Sequence, residues 1–273
     1  MNLVLSGGGL NGIAYIGLIK ILKKKNILYK INKFAGTSIG SIFIFLISIK
    51  ADISDIYNLF IYKFKYIFNV NCNNILNGSL LNSNIFEEIL REILNKKLNK
   101  KYITFLEHYN LTKHELNIVC TDLYSGKEKV FNMNNTPNID IIDTIIASSS
   151  VPIFTKSVKI NDNYYIDGSF KNLFPINIFQ NELSKTIAVG FYPNKYKTIN
   201  TSNIIQNLLR ECIETNLSSE VKKTLFYYIK LPSILNAFNI NTPVKQKINA
   251  YLLYYKLIKK QIYDKQLYLK NKH

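Results

Sequence analysis

Apolar residues in this chain alternate between two spacings. Leu3 to Leu5 is a short unbroken apolar run, and between Leu10 and Lys24 the positions Ile13, Ile16 and Ile19, with Leu18 and Leu22, recur at helical spacing. Ile31 to Ala35 reads as a second strand, followed at once by a glycine-flanked turn and an apolar helix from Ser38 to Ile49. Strand, turn and helix, given twice, predict a parallel sheet with helices on its faces. Asp52 to Lys101 reads as mostly helical, and its amphipathic stretch SNIFEEILREILNKK opens on a Ser or Asn cap, a candidate cover over a site. The stretch ELNIVCTDLYSGKEKVFNM holds two alternating runs around Ser125 and Gly126, which predicts a hairpin. After a short helix at Ile139 to Ala147, KSVKI and NYYIDGSF give a second pair of strands, and TIAVGFY returns a buried one. Beyond Thr201 the pattern reads as helical to the end. The expected organisation is one α/β domain over residues 1–200 and a helical extension over 201–273, packed on that domain or continuing it.

Composition narrows the class. In 273 residues, 47% hydrophobic, 13% aromatic and 19% charged describe a globular protein and exclude a disordered one. A formal charge of +17 invites an anionic partner, nucleic acid or a lipid surface. Ile, Asn, Lys and Tyr are abundant throughout, as an A+T-rich coding sequence would make them, and this accounts for about half of the basic excess. The remainder favours anionic membranes. Cys72, Cys120 and Cys212 are odd in number and widely spaced, so they offer neither a disulfide framework nor a C-x-x-C metal site. The expected setting is intracellular, in the cytoplasm or peripheral on membranes. No charged segment precedes an apolar one at the N-terminus, and the longest apolar stretch, Gly36 to Ile49, falls short of the roughly 20 residues a membrane span requires.

Candidate chemistry enters with glycine. SGGGLNG places Gly7, Gly9 and Gly12 in the pattern G-x-G-x-x-G between a strand and a helix. A dinucleotide site on that pattern needs an acidic residue about 20 positions further on. The first acidic residue in the chain is Asp52, and no G-x-x-x-x-G-K-[ST] occurs, so both cofactor and P-loop readings fail. At the end of the second strand stands GTSIG instead. G-x-S-x-G between strand and helix is the nucleophile elbow, a tight turn that strains the serine backbone and lifts its hydroxyl clear of the sheet. Gly36 and Gly40 are required because a β-carbon at either place would clash as the chain reverses, and Ser38 opens a helix whose N-terminus favours negative charge. The glycine run then reads as an oxyanion hole: Gly7, Gly8 and Gly9 can turn consecutive N–H groups into one small space.

A base for Ser38 is harder to find. The chain has three histidines, and His108 and His114 lie in segments unlike a site, while His273 is terminal; a Ser-His-Asp triad is therefore disfavoured. The remaining candidate is Asp167, at the end of the apolar strand YYID and before Gly168, where a strand-end carboxylate faces the crevice outside the sheet. A free aspartate, with a pKa near ~3.9, is a weak base, so burial has to raise it.

SGGGLNG, GTSIG and IDGS, in that order and at these distances, resemble the patatin-like phospholipase family, and ASSSVPIFTKSVKINDNYYIDGSFKNLFPI is similar to the family's run into its aspartate. The resemblance covers about Asn2 to Phe191. It implies a three-layer α/β/α sandwich on a mainly parallel central sheet. It also implies hydrolysis of fatty acyl esters of phospholipids or neutral lipids without metal or cofactor, Ser38 as nucleophile and Asp167 as base. Two departures stand out. Asn11 replaces the family's usual basic residue between Gly9 and Gly12, which removes that side chain's help with a phosphate, and Ser169 takes the small third place of the D-G-[GA] motif.

Other classes remain open on sequence alone. A neutral-lipid lipase or thioesterase could use the same two residues, and a catalytically silent lipid-binding or interaction protein would have lost one of them. No nucleic-acid partner is expected: Lys96, Lys97, Lys100 and Lys101 cluster without a recognition motif. Near the C-terminus Ile248, Tyr251, Leu252, Tyr255, Ile258 and Ile262 share a helical face, with Lys245, Lys247, Lys256, Lys259 and Lys260 around it. That helix either packs on the sheet with its lysines in solvent or lies on a peripheral, anionic lipid surface.

Overall fold

A computed structural model of the chain describes residues 1–64, 84–152, 154–192, 219–237, 239 and 241–270. Cys72, Cys212, His273, the serine of the proposed cap at position 83 and residues 201–218 of the expected helical extension lie outside them. The first half of the chain runs β1 (Asn2–Leu5), a single 3-10 turn (Gly9–Gly12), α1 (Ile13–Lys24), β2 (Lys33–Thr37), α2 (Ile39–Ser48), α3 (Ile53–Asn58), α4 (Asn84–Leu98) and α5 (Phe105–Thr112). The second half runs β3 (Glu115–Asp122), β4 (Glu128–Phe131), α6 (Ile141–Ser148), β5 (Val158–Ile160), β6 (Asn163–Asp167), α7 (Ser169–Asn172), β7 (Thr186–Tyr192), α8 (Ser219–Thr224), β8 (Tyr227–Pro232) and α9 (Val244–Lys270).

Among the described residues the sheet is ordered β5-β6-β3-β2-β1-β7-β8, with β4 paired to β3. Strands β3, β2, β1, β7 and β8 are parallel neighbours, while β4, β5 and β6 form an antiparallel margin. Period-two alternation divides each central strand between two cores. Leu3, Leu5, Phe34, Ile187 and Val189 point into the larger one with α1 and α2, whereas Val4, Ala35 and Ala188 point into a smaller one with Leu173, Phe174 and Phe179. The result is an α/β/α sandwich. Its second layer is thin, and the strand residues facing that layer are correspondingly small. No helix among the described residues is long and apolar enough to cross a membrane.

The expectation of a helical chain beyond Thr201 needs correction. Tyr227, Ile229 and Leu231 are buried in alternation with more exposed neighbours, so YYIKLP is a strand, and it extends the parallel sheet beside β7. The apolar face of α9, carrying Ala250, Tyr251, Tyr254, Ile258 and Ile262, is buried. Helix α1 lies against it closely enough that a β-carbon on Gly17 would be 3.4 Å from the Tyr255 backbone. Leu252, expected on that face, is exposed instead, and Lys247, expected in solvent, is buried with its ammonium 3.4 Å from the Ile61 carbonyl.

Three lysines of the early cluster form ion pairs within the fold. Lys96 pairs with Asp52 and Asp55, Lys97 with Asp52, and Lys100 with Glu107. Arg91 on α4 holds Asp140 and Asp143 at the start of α6 and stacks on Tyr102.

Candidate active site

Ser38 sits between the last residue of β2 and the first of α2, where the chain must reverse within one residue. It takes φ 52° and ψ −126°, a strained conformation for a residue with a β-carbon. The two glycines of GTSIG make the reversal possible by close approach: a β-carbon on Gly36 would lie 2.6 Å from the Gly40 backbone, and one on Gly40 would lie 2.2 Å from the Leu5 carbonyl. Strain at Ser38 is held by bonds at both ends of the residue. Its N–H donates to Ser148 Oγ at 2.9 Å, and its carbonyl accepts from Ser41 N–H and Ser41 Oγ at 2.8 and 2.6 Å. Ser148 in turn donates to the Val119 carbonyl at 2.6 Å.

Asp167 ends β6, opposite Cys120 on β3, and Thr37 lies opposite Val119 on the other side of β3. Past Asp167 the chain therefore has to cross the end of β3 to reach β2 and β1. It does so at Gly168, where a β-carbon would be 2.2 Å from the Val119 carbonyl. The crossing is pinned on the far side, because Thr37 Oγ1 donates to the Asn172 carbonyl and Gly7 N–H donates to the Leu173 carbonyl. Asp167-Gly168 is thus a tight crossing between strands rather than a hairpin turn.

This path leaves Asp167 1% exposed, with its carboxyl within electrostatic reach of the Ser38 side chain. Burial drives its carboxyl up from 3.8 to about 6, against the opposing influence of the Ser38 side chain and of Ser169. The Ser169 N–H donates to Asp167 Oδ1 at 2.8 Å. The Asp167 backbone is equally constrained: its N–H donates to the Ser150 carbonyl, and its own carbonyl accepts from Thr121 Oγ1.

The glycine run leaves β1 directly beside this pair. A β-carbon on Gly7 would fall 3.4 Å from Ser38 Cβ and 2.7 Å from Ser169 Oγ, and one on Gly12 would strike Ile39 at 2.2 Å. Gly9 has φ +53°. One member of the expected trio of donors is already committed, since Gly7 N–H is bonded to Leu173 at 2.9 Å. The N–H groups of Gly8 and Gly9 are not bonded within the described residues and remain the candidate donors of this run.

Asn11 is 1% exposed and turned into the fold, where its amide meets Gly8, Leu235 and Tyr254, so it has no path to a phosphate. His108 lies at the far end of α2, bonded to Ser48 Oγ at 2.8 Å, and His114 bonds the Ser48 carbonyl. Burial lowers the His108 pKa to about 3, which suits a neutral structural ring. Ser148 was missed on sequence. One serine among the three in ASSSVP carries no signal that singles it out as the acceptor for the Ser38 N–H.

Comparison with known proteins places this geometry in context. A protein of Invertebrate iridescent virus 6 named a probable lipid hydrolase is 33% identical over 184 residues, 64% of this chain and 62% of its own, so the chain spans about three-fifths of that relative's length. An uncharacterized protein of Acanthamoeba polyphaga mimivirus is 25% identical over 287 aligned positions, covering 96% of this chain and 93% of its own. The crystal structure of VipD from Legionella pneumophila shares the fold, with a TM-score of 0.59 at 15% identity, over 95% of this chain and 67% of that one. The profile of the patatin-like phospholipase family matches residues 3–179, from β1 through Asp167 and beyond, and the chain belongs to that family.

Proposed function

We propose that this protein is a metal-independent lipid acyl hydrolase of the phospholipase A type, acting through an acyl-serine intermediate. Asp167 accepts the proton of Ser38 Oγ as that oxygen attacks the acyl carbonyl, and the carbonyl electron pair moves onto oxygen. The N–H groups of Gly8 and Gly9 hold the resulting oxyanion. Collapse of the tetrahedral species breaks the ester C–O bond, and the departing alkoxide takes the proton from Asp167. Water then repeats the sequence on the acyl-enzyme, releasing a fatty acid. The observation that carries this reading is a strained strand-end serine at the same end of the sheet as a buried aspartate that its side chain influences, the aspartate's pKa lifted to about 6, within reach of ionisation at neutral pH. The family and the name of the viral relative support phospholipid or another acyl lipid as substrate; we place the encounter at a peripheral, anionic membrane surface inside the cell.

The test is fatty acid release from mixed phospholipid vesicles by the wild type, Ser38→Ala and Asp167→Asn, with and without chelator. Chelator-resistant release that both substitutions abolish is expected. Release that survives Ser38→Ala, or that chelator removes, would sink the reading.

A further inference from the structure

We infer that Asn11 and Tyr254 are positioning residues for the oxyanion donors, so that helix α9 is a working part of the site; this rests on the reading just given. In a trans peptide the C=O of one residue and the N–H of the next point in opposite directions across one rigid plane. Fixing a carbonyl therefore aims the following N–H. The Gly7 carbonyl accepts from Ser6 Oγ at 2.9 Å, which sets the Gly8 N–H. The Gly8 carbonyl accepts twice from Asn11, from its N–H at 3.1 Å and from Nδ2 at 3.2 Å, which sets the Gly9 N–H.

Asn11 can hold that plane because every hydrogen-bonding position of its amide is used. Nδ2 also donates to the Leu235 carbonyl at 2.9 Å, and Oδ1 accepts from Leu235 N–H at 2.9 Å and from Tyr254 OH at 2.6 Å. Leu235 belongs to the segment after β8, whose neighbour Ala237 accepts from Leu10 N–H and packs so tightly on Gly9 that a β-carbon there would lie 2.4 Å from its carbonyl. Tyr254 lies on α9, is fully buried, and takes Ile234 N–H at 3.0 Å as well. Residues more than 220 positions away in sequence thus clamp both sides of the glycine loop. The basic residue usual at position 11 would lack the acceptor that Tyr254 and Leu235 require.

Tyr254→Phe is the mild perturbation, because it keeps the ring against Phe191 and removes the hydroxyl; Asn11→Ala is the severe one. Hydrolysis of a soluble short-chain ester is measured for both, with melting temperature and the affinity of a trifluoromethyl ketone that forms a tetrahedral adduct with a serine. In Tyr254→Phe, kcat is expected to fall about tenfold or more with KM within about twofold, since a small displacement of a donor weakens the transition state alone. Ketone affinity should fall by the same factor, which loss of stability by itself would not produce. Unchanged kcat and ketone affinity in a variant that melts lower would overturn the inference and leave Tyr254 a structural hydroxyl. No Ser38-dependent hydrolysis by the wild type would instead sink the reading on which it depends.

Discussion

The pKa of Asp167 ties activity and stability to pH with opposite consequences, and both can be worked from its burial. Moving the carboxyl from 3.8 to about 6 sets roughly 3 kcal/mol against the charged form. If the carboxylate is the base, kcat/KM on a soluble ester should fall about tenfold per unit below pH 6, with about a tenth of the enzyme competent at pH 5. Stability runs the other way. A folded-state pKa above the unfolded value contributes stability that is complete below about pH 3.8 and is lost as pH rises through about 6. Above that, holding the carboxylate in the core costs the fold about 3 kcal/mol. Asp167→Asn keeps an acceptor for the Ser169 N–H and removes the charge. It should therefore abolish hydrolysis while raising the melting temperature by several degrees at pH 8, with little gain at pH 4. The assays are a pH–rate profile from pH 4 to 8 and thermal melts of both proteins at the two pH values. A rate that stays flat down to pH 4, or an equal melting gain at both pH values, would refute the reasoning.

Other substitutions test neighbouring parts of the same structure. Ser148→Ala leaves the Ser38 N–H and the Val119 carbonyl buried without that hydroxyl, so it should cost about 1–3 kcal/mol in urea unfolding and lower kcat on the soluble ester. Gly168→Ala places a methyl group 2.2 Å from the Val119 carbonyl, and purified protein should show both a lower melting temperature and lost turnover, because the crossing that presents Asp167 has to shift. The His108 pKa, lowered to about 3 by burial, makes its contribution to stability fall as pH drops from about 6.5 towards 3; equilibrium unfolding of His108→Gln should show a shallower loss across that window.

The parts of the site legible in sequence are those made by local backbone geometry. Gly36, Ser38 and Gly40 are read together because a reversal within a few residues leaves room for few side chains, and their spacing follows from the turn itself. TIAVGFY is legible as an unbroken apolar run of strand length, and NYYID as a short run of β-favouring residues that ends at an Asp-Gly pair. What escaped depends on partners far apart in the chain. YYIKLP passed for helix because six residues are too few for their alternation to outweigh the helix-compatible sequence around them, and pairing with β7 is what decides its identity. Gly7 seemed as good a donor as Gly8 and Gly9, and only the carbonyl of Leu173, 166 positions later, removes it from the set. Asn11 is the clearest instance. As a letter in a motif it is a charge lost, whereas in the fold its four amide bonds join the glycine loop to Leu235 and Tyr254. The same reasoning bears on α9. Its lysines and apolar face suit a lipid surface and a packed helix equally well in sequence, and the apolar face is spent on α1 while Tyr254 is spent on Asn11. A truncation after Pro243 should therefore cost hydrolysis of a soluble monomeric ester as well as of vesicles; loss on vesicles alone would return α9 to the membrane.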